Sequence, residues 1–128
     1  MLFTHVAVGT DNLEISKKFY DAVLGVIGIP EGKIIDERRL FYPSEFGMFA
    51  VLKPIDGKPA RSANGATVGF AASSPEQIQA AHDAGVANGG TSCEDPPGLR
   101  DNPRFGKLYL AYLRDPFDNK ICVSFWPE

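Results

Sequence analysis

Few side chains in this chain can do chemistry, and where they fall decides which chemistry is open to them. Histidine occurs at His5 and His82, cysteine at Cys93 and Cys122. His5 lies in an alternating stretch at the start, Cys122 in the closing run KLYLAYLRDPFDNKICVSFW. An imidazole and a thiol within reach of each other can serve as base and nucleophile. A strand cysteine more often simply packs, and a strand histidine more often bonds a backbone carbonyl. Arg100 and Arg104 fall in GTSCEDPPGLRDNPRFG, residues 90–106, which has three prolines and no periodicity. That pattern predicts a long loop, either solvated or acting as a lid. A guanidinium on a lid is suited to an anionic ligand.

The elements that must hold these residues follow from periodicity. Residues 108–114 and 121–126 are rich in aromatic and branched side chains and flank the turn formers Asp115-Pro116-Phe117-Asp118-Asn119-Lys120. Strand side chains alternate between faces. Ile121, Val123 and Phe125 therefore share an apolar face, and Cys122, Ser124 and Trp126 a mixed one. Residues 3–9 alternate in the same way, with Val6 and Val8 opposed to Phe3, His5 and Ala7. Asp11 is the expected N-cap of a helix, with Glu14 closing a capping box. Ile15, Phe19, Ala22, Val23 and Val26 follow at helical spacing, and Gly25 and Gly28 mark the exit. Short strands are expected over residues 33–36, 39–42 and 48–53, then a polar linker over residues 54–65.

The pattern then starts again. Thr67-Val68-Gly69-Phe70 repeats His5-Val6-Ala7-Val8, and Ser74-Pro75-Glu76-Gln77 repeats the helix start. Thr67 stands as far beyond His5 as Asp83-Ala84 stands beyond Asp21-Ala22. The expectation is an internal repeat of strand, helix and three strands. Halves of ~60 residues have little core of their own, so they should pack together or swap between subunits. The chain has 128 residues, 44% hydrophobic and 23% charged, with a net charge of −3, ordinary for a globular protein and unsuited to a nucleic-acid partner. No apolar run approaches the ~20 residues of a membrane span. The start, MLFTHVAV, lacks a basic segment and reads as a strand rather than a signal peptide. Two cysteines make no disulfide framework, and a reducing cytoplasmic setting is expected.

The repeat, the opening HVAVGTDNLEISKKFYDAVLG, the mid-chain GATVGFAA and PPGLRDNPRFGKLYLAYLRDPFDNKICV together resemble the vicinal oxygen chelate superfamily, the glyoxalase / bleomycin-resistance / extradiol dioxygenase group. The likeness spans essentially the whole chain. Its most specific part is the YLRDPFDNKI turn, where relatives read RDPDGN, then a variable and an apolar residue; Phe117 and Asp118 depart from that pattern. The resemblance implies an α+β fold of two βαβββ modules whose curled mixed sheets form a half-open cup. It implies one glyoxalase-like domain over residues 1–128, with module one at about 1–56, a linker at about 57–65 and module two at about 66–128. It also implies a homodimer.

Enzymes of this group hold a divalent metal with ligands from the first and last strands of each module. Carried over position by position, those places fall on His5, Leu52, Thr67 and Cys122. Only His5 is a usual ligand there, so no metal and no other cofactor is expected. His82, in the second helix, lies away from the cup. By strand parity the inward set is Phe3, His5, Thr67, Gly69, Tyr109, Ala111, Cys122, Ser124 and Trp126, with Tyr42 and Phe46 toward the other wall.

The leading expectation is a small-molecule binding protein, with ligand contacts from His5, Phe46, Thr67, Arg100, Tyr109, Cys122 and Trp126. One alternative is a divergent lyase, isomerase or dioxygenase-like enzyme, with or without a metal. In the family cup the ligand places converge, so His5 and Cys122 are its candidate catalytic pair. Another is an interaction module whose cup is filled by Trp126, Tyr109 and Phe3.

Overall fold

The structure is a computed structural model that describes residues 1–127. Its elements run β1 (His5–Gly9), α1 (Leu13–Val26), β2 (Lys33–Ile34), β3 (Arg39–Ser44), β4 (Gly47–Leu52), β5 (Val68–Ala71), α2 (Pro75–Ala87), β6 (Thr91–Ser92), β7 (Gly98–Asn102), β8 (Gly106–Arg114) and β9 (Lys120–Phe125). One sheet has the order β1-β4-β3-β2, the other β5-β9-β8-β6, with β7 also on β8. In each sheet the first strand runs parallel to the last and the remaining pairs are antiparallel. The fold is α+β, two helices with two mixed, open sheets, as expected.

The repeat is visible in the hydrogen bonding. Thr10 N–H donates to the Leu52 carbonyl at 2.9 Å, and Ala72 N–H donates to that of Ser124 at 2.8 Å. Ala7 pairs with Ala50 in β1–β4, as Gly69 pairs with Cys122 in β5–β9. The place in module one that matches Cys122 is therefore Ala50, and Leu52 matches Ser124. This corrects the placement of a ligand position on Leu52.

Local signals hold with adjustments. The cap of α1 is Asn12, whose side chain accepts from Ile15 N–H at 3.0 Å. Asp11 instead accepts from Ala60 N–H, tying the linker to the end of β1. The buried face of α1 is Leu13, Ser16, Phe19, Tyr20, Val23 and Leu24, and Ile15 is exposed. Ser74 caps α2 without a side-chain bond, while Gln77 accepts from Ser73 N–H at 2.7 Å.

The segment over residues 90–106 is not all loop. β6 and β7 take up successive lengths of one edge of β8, with Pro96 and Pro97 in the break between them. A short polar edge strand carries no alternation, which hid it from sequence reasoning.

One buried cluster draws on both modules: Phe19, Tyr20, Val23 and Leu24 of α1, Leu40, Tyr42, Phe49 and Val51 of sheet one, Ile78 and Ala81 of α2, and Leu113, Ile121 and Val123 of sheet two. Each valine, leucine, isoleucine or phenylalanine among them contributes about 1.5–3 kcal/mol on burial. Phe49 of module one and Phe70 of module two meet edge to face at 5.0 Å. A buried polar joint locks the halves. Tyr20 donates to Asp115 at 2.6 Å, and the Asn119 amide donates both to Asp115 at 2.9 Å and to the Gly9 carbonyl at 2.8 Å.

Candidate functional site

Residues opposite each other on neighbouring strands share a sheet face. Tyr109 pairs with Phe125 and Ala111 with Val123, so both face the core, where Ala111 is fully buried. Tyr112 pairs with Cys122 and Leu110 with Ser124, so these face the other way. The expectation that Tyr109 and Ala111 point into the cup is thus corrected. LYLAYL carries bulky side chains on both faces, so alternation alone did not select one.

The outer face of sheet two holds a hollow of about 520 Å³. Cys122 and Ser124 contribute from β9, Gly69 from β5, Thr67 from just before β5, and Leu108, Leu110 and Tyr112 from β8. Arg100 and Asn102 of β7 join them, with Glu94, Phe105 and Trp126. Of the expected contacts, Thr67, Arg100, Cys122 and Trp126 are brought together here. Trp126 is 58% exposed and Phe3 61% exposed, so neither fills the space, and Tyr109 lies on the opposite face.

His5 and Phe46 line a second, shallower hollow of about 180 Å³ with Phe3, Met48 and Phe70. Val68 and Gly69 of β5 belong to it as well. Gly69 thus borders both hollows, and His5 stands on the far side of β5 from Cys122. The exposed His5 ring hydrogen-bonds Thr4 Oγ1 at 3.0 Å through Nδ1. Tyr42 is in the core, its hydroxyl donating to Asp21 at 2.7 Å. His82 bridges Asp83, at 3.1 Å, and Ser92, at 2.8 Å, which ties α2 to β6.

A wider depression of about 530 Å³ is bordered by Asp11, Arg38, Lys53 and the linker. Two of its polar side chains are engaged within the protein: Asp11 holds Ala60, and Arg38 Nε donates to the Lys53 carbonyl at 2.9 Å. Its size exceeds its chemical promise, and the sheet-two hollow is the better site.

Cys122 is buried at the floor of that hollow. Burial pushes its thiol up, against weaker opposing pulls from the Tyr112 hydroxyl, Lys120 and Arg100. Tyr112 is raised too, mainly by burial. A thiol held in its neutral form is a poor nucleophile and a poor metal ligand.

Residues 2–123 match the family model described as Glyoxalase/Bleomycin resistance protein/Dioxygenase superfamily. The chain belongs to this superfamily. Among solved structures, a glyoxalase/bleomycin resistance protein from Albidiferax ferrireducens T118 is 58% identical, with a TM-score of 0.92 over 98% of this chain and 99% of that one. A glyoxalase-related enzyme from Fulvimarina pelagi is 17% identical, with a TM-score of 0.74 over 98% of this chain and 88% of that one. Lactoylglutathione lyase from Agrobacterium tumefaciens is 19% identical, with a TM-score of 0.67 over 96% and 92% of the two chains. The last two likenesses concern the fold alone. No curated protein matches the chain.

The superfamily's metal can be tested against the residues present. The places that the family resemblance assigns to it are His5, Leu52, Thr67 and Cys122; the strand registers put Ala50 in place of Leu52, and the two are equally inert. An aliphatic side chain, a hydroxyl and a neutral thiol beside one imidazole do not fit a divalent cation. Among the described residues no three His, Cys, Asp or Glu side chains form a group that could hold a metal ion. None of their helices is long and apolar enough to cross a membrane.

Sequence reasoning missed Leu108, Leu110, Tyr112, Asn102 and Phe105. A usable signal existed for the β8 residues. Counting outward from a turn over residues 115–119 sets Arg114 against Lys120, and hence Tyr112 against Cys122.

Proposed function

We propose that this glyoxalase-fold protein binds a small organic molecule in the sheet-two hollow and does so without a metal. The observation that carries the reading is a concave surface of ligand size whose lining is mostly apolar and aromatic, with a few polar points, the usual make-up of such sites. The replacement of the superfamily's metal ligands supports the same reading. A Cys122–His5 nucleophile and base gains no support, since the two border different hollows and the thiol is held neutral. We also propose that two copies associate. Leu2, Phe3, Phe46 and Leu99 are exposed, and a second copy packed on them would take their apolar surface out of water. The two free cysteines, Cys93 and Cys122, suit the reducing cytoplasm.

The test is a thermal melt with Ni²⁺, Zn²⁺, Mn²⁺ and Fe²⁺ in turn, paired with native mass spectrometry of the purified protein. The expected result is no metal-specific rise in melting temperature, a dimer mass and a carried-over organic adduct. A selective stabilisation of several degrees by one metal, retained as a stoichiometric ion in the native spectrum, overturns the metal-free reading.

A further inference from the structure

We propose that the ligand of the sheet-two hollow is a planar aromatic anion, its charge on Arg100 and its ring against Phe105 and Trp126; this rests on the small-molecule reading above.

The charge balance of the lining points there. Among the described residues, Glu94 and Arg100 are its only charged members. Glu94 is neutralised by an ion pair with Lys120, whose ammonium also sits 4.8 Å above the Tyr112 ring. Arg100 makes no ion pair among the described residues. Its guanidinium donates to two backbone carbonyls, Gly98 at 3.3 Å and Asp95 at 3.1 Å. Those bonds fix the fork, and a guanidinium with five N–H groups has others to offer. The hollow therefore presents one cation without a counter-charge, pre-oriented by the backbone. A carboxylate answers that arrangement best, because charge-assisted bonds to arginine are about twice as strong as neutral ones. Among the described residues a cationic ligand meets no free carboxylate there.

Register aims the charge inward. Arg100 pairs with Leu108 and Asn102 with Gly106, which places both on the same face as Leu108 and Leu110. The guanidinium is also felt at the floor, where it favours the ionised forms of Tyr112 and Cys122. Asn102 fixes the aromatic side. Its side-chain Oδ1 accepts from Arg104 N–H at 2.8 Å and Phe105 N–H at 3.0 Å, which fixes the turn that carries Phe105. That ring lies 6.1 Å from Trp126, tilted by 58°, and both are more than half exposed. A flat ring against this pair covers aromatic surface that the protein alone leaves wet, and Leu108 and Leu110 supply its apolar bed. Thr67 and Ser124 can hydrogen-bond its substituents.

Trp126 is the only tryptophan, so its emission reports on this hollow alone. The experiment titrates the protein with 4-(trifluoromethyl)benzoate, the neutral 4-(trifluoromethyl)benzamide and the saturated 4-(trifluoromethyl)cyclohexanecarboxylate. Binding is read by Trp126 emission and ¹⁹F line width. The expected result is carboxylate binding about tenfold tighter than amide and tighter than the saturated acid. Arg100→Met should erase the preference over the amide without weakening the amide, and Arg100→Lys should retain part of it. Equal binding of benzoate and benzamide overturns the anion assignment and leaves the small-molecule reading standing. Equal binding of the saturated acid overturns the aromatic assignment. Silence from all three probes overturns this inference, while the adduct sought by native mass spectrometry tests the broader reading separately.

Discussion

Tyr20 of α1 donates its phenolic hydrogen to Asp115, 2.6 Å away across 95 residues, and this is the polar joint between the two modules. Asp115 is 3% exposed, and its two oxygens also accept from Phe117 N–H, Asn119 N–H and the Asn119 amide. Tyr20→Phe removes one bond to a buried carboxylate and is expected to cost about 1.5–3 kcal/mol. Urea unfolding should show a lower midpoint with an unchanged slope. Asn119→Ala should cost more, because it frees both Asp115 and the Gly9 carbonyl.

Three glycines should separate fold from site. A Cβ at Gly90 would lie 2.4 Å from the Phe19 ring and 3.0 Å from two backbone carbonyls, which cannot both yield. At Gly85 it would meet the movable ends of Leu113, Val23 and Phe19 at 2.8–3.1 Å, and in a helix alanine recovers roughly 1 kcal/mol over glycine. Gly90→Ala is therefore expected to destabilise by about 1–3 kcal/mol, and Gly85→Ala by less. At Gly69 a Cβ meets nothing within 4 Å. Gly69→Val should leave the melting temperature within a few degrees of wild type yet weaken benzoate binding, since its side chain enters the space that binds.

Stability should fall off at both ends of the pH scale through Asp21 and Tyr42. Burial and the Asp21 carboxylate hold the Tyr42 hydroxyl well above its usual value of 10.0. Its contribution is full below about pH 10 and declines as pH rises beyond that, where only the unfolded phenol ionises. Burial alone would raise Asp21, but bonds from Lys17, Gly32 N–H and Tyr42 outweigh it and bring the carboxyl below its usual 3.8. That contribution is present above pH 3.8 and is lost as pH falls through the lower folded value. Urea melts should show Tyr42→Phe flattening the alkaline limb and Asp21→Asn the acid limb.

Iodoacetamide should distinguish the two thiols. Cys93 is half-buried, while Cys122 is buried and its thiol is pushed up. At pH 7 peptide mapping should find Cys93 modified first. Carboxylate probe in the hollow should slow Cys122 further without changing Cys93.

Much of this architecture was legible because local signals agreed with each other. The Ser74-Pro75 helix start, the alternation of Val6 and Val8 and the Asp115–Asn119 turn each have a local cause, and together they exposed the repeat. What stayed hidden depended on pairing between distant strands. The aromatic-rich β8 gave no face preference until its register against β9 set Tyr112, not Tyr109, beside Cys122. β7 carries alternating exposure along GLRDN but no apolar alternation, so Arg100 was legible as a charge and not as part of a wall. The match of Ala50 to Cys122 likewise emerged only from the two parallel registers.

The broken border of sheet two has a consequence for how the protein behaves in concentrated solution. β6 has two residues, and β7 is flanked by Pro96, Pro97 and Pro103 and bears Arg100 and Asp101. β2, at the corresponding margin of sheet one, is also two residues long. The opposite margins, β1 and β5, face each other across a gap lined by Val6–Gly9 and Ala66–Val68. Neither sheet offers a long, flat, uncharged rim on which another molecule could add strand after strand, so fibre growth from the native state has no template.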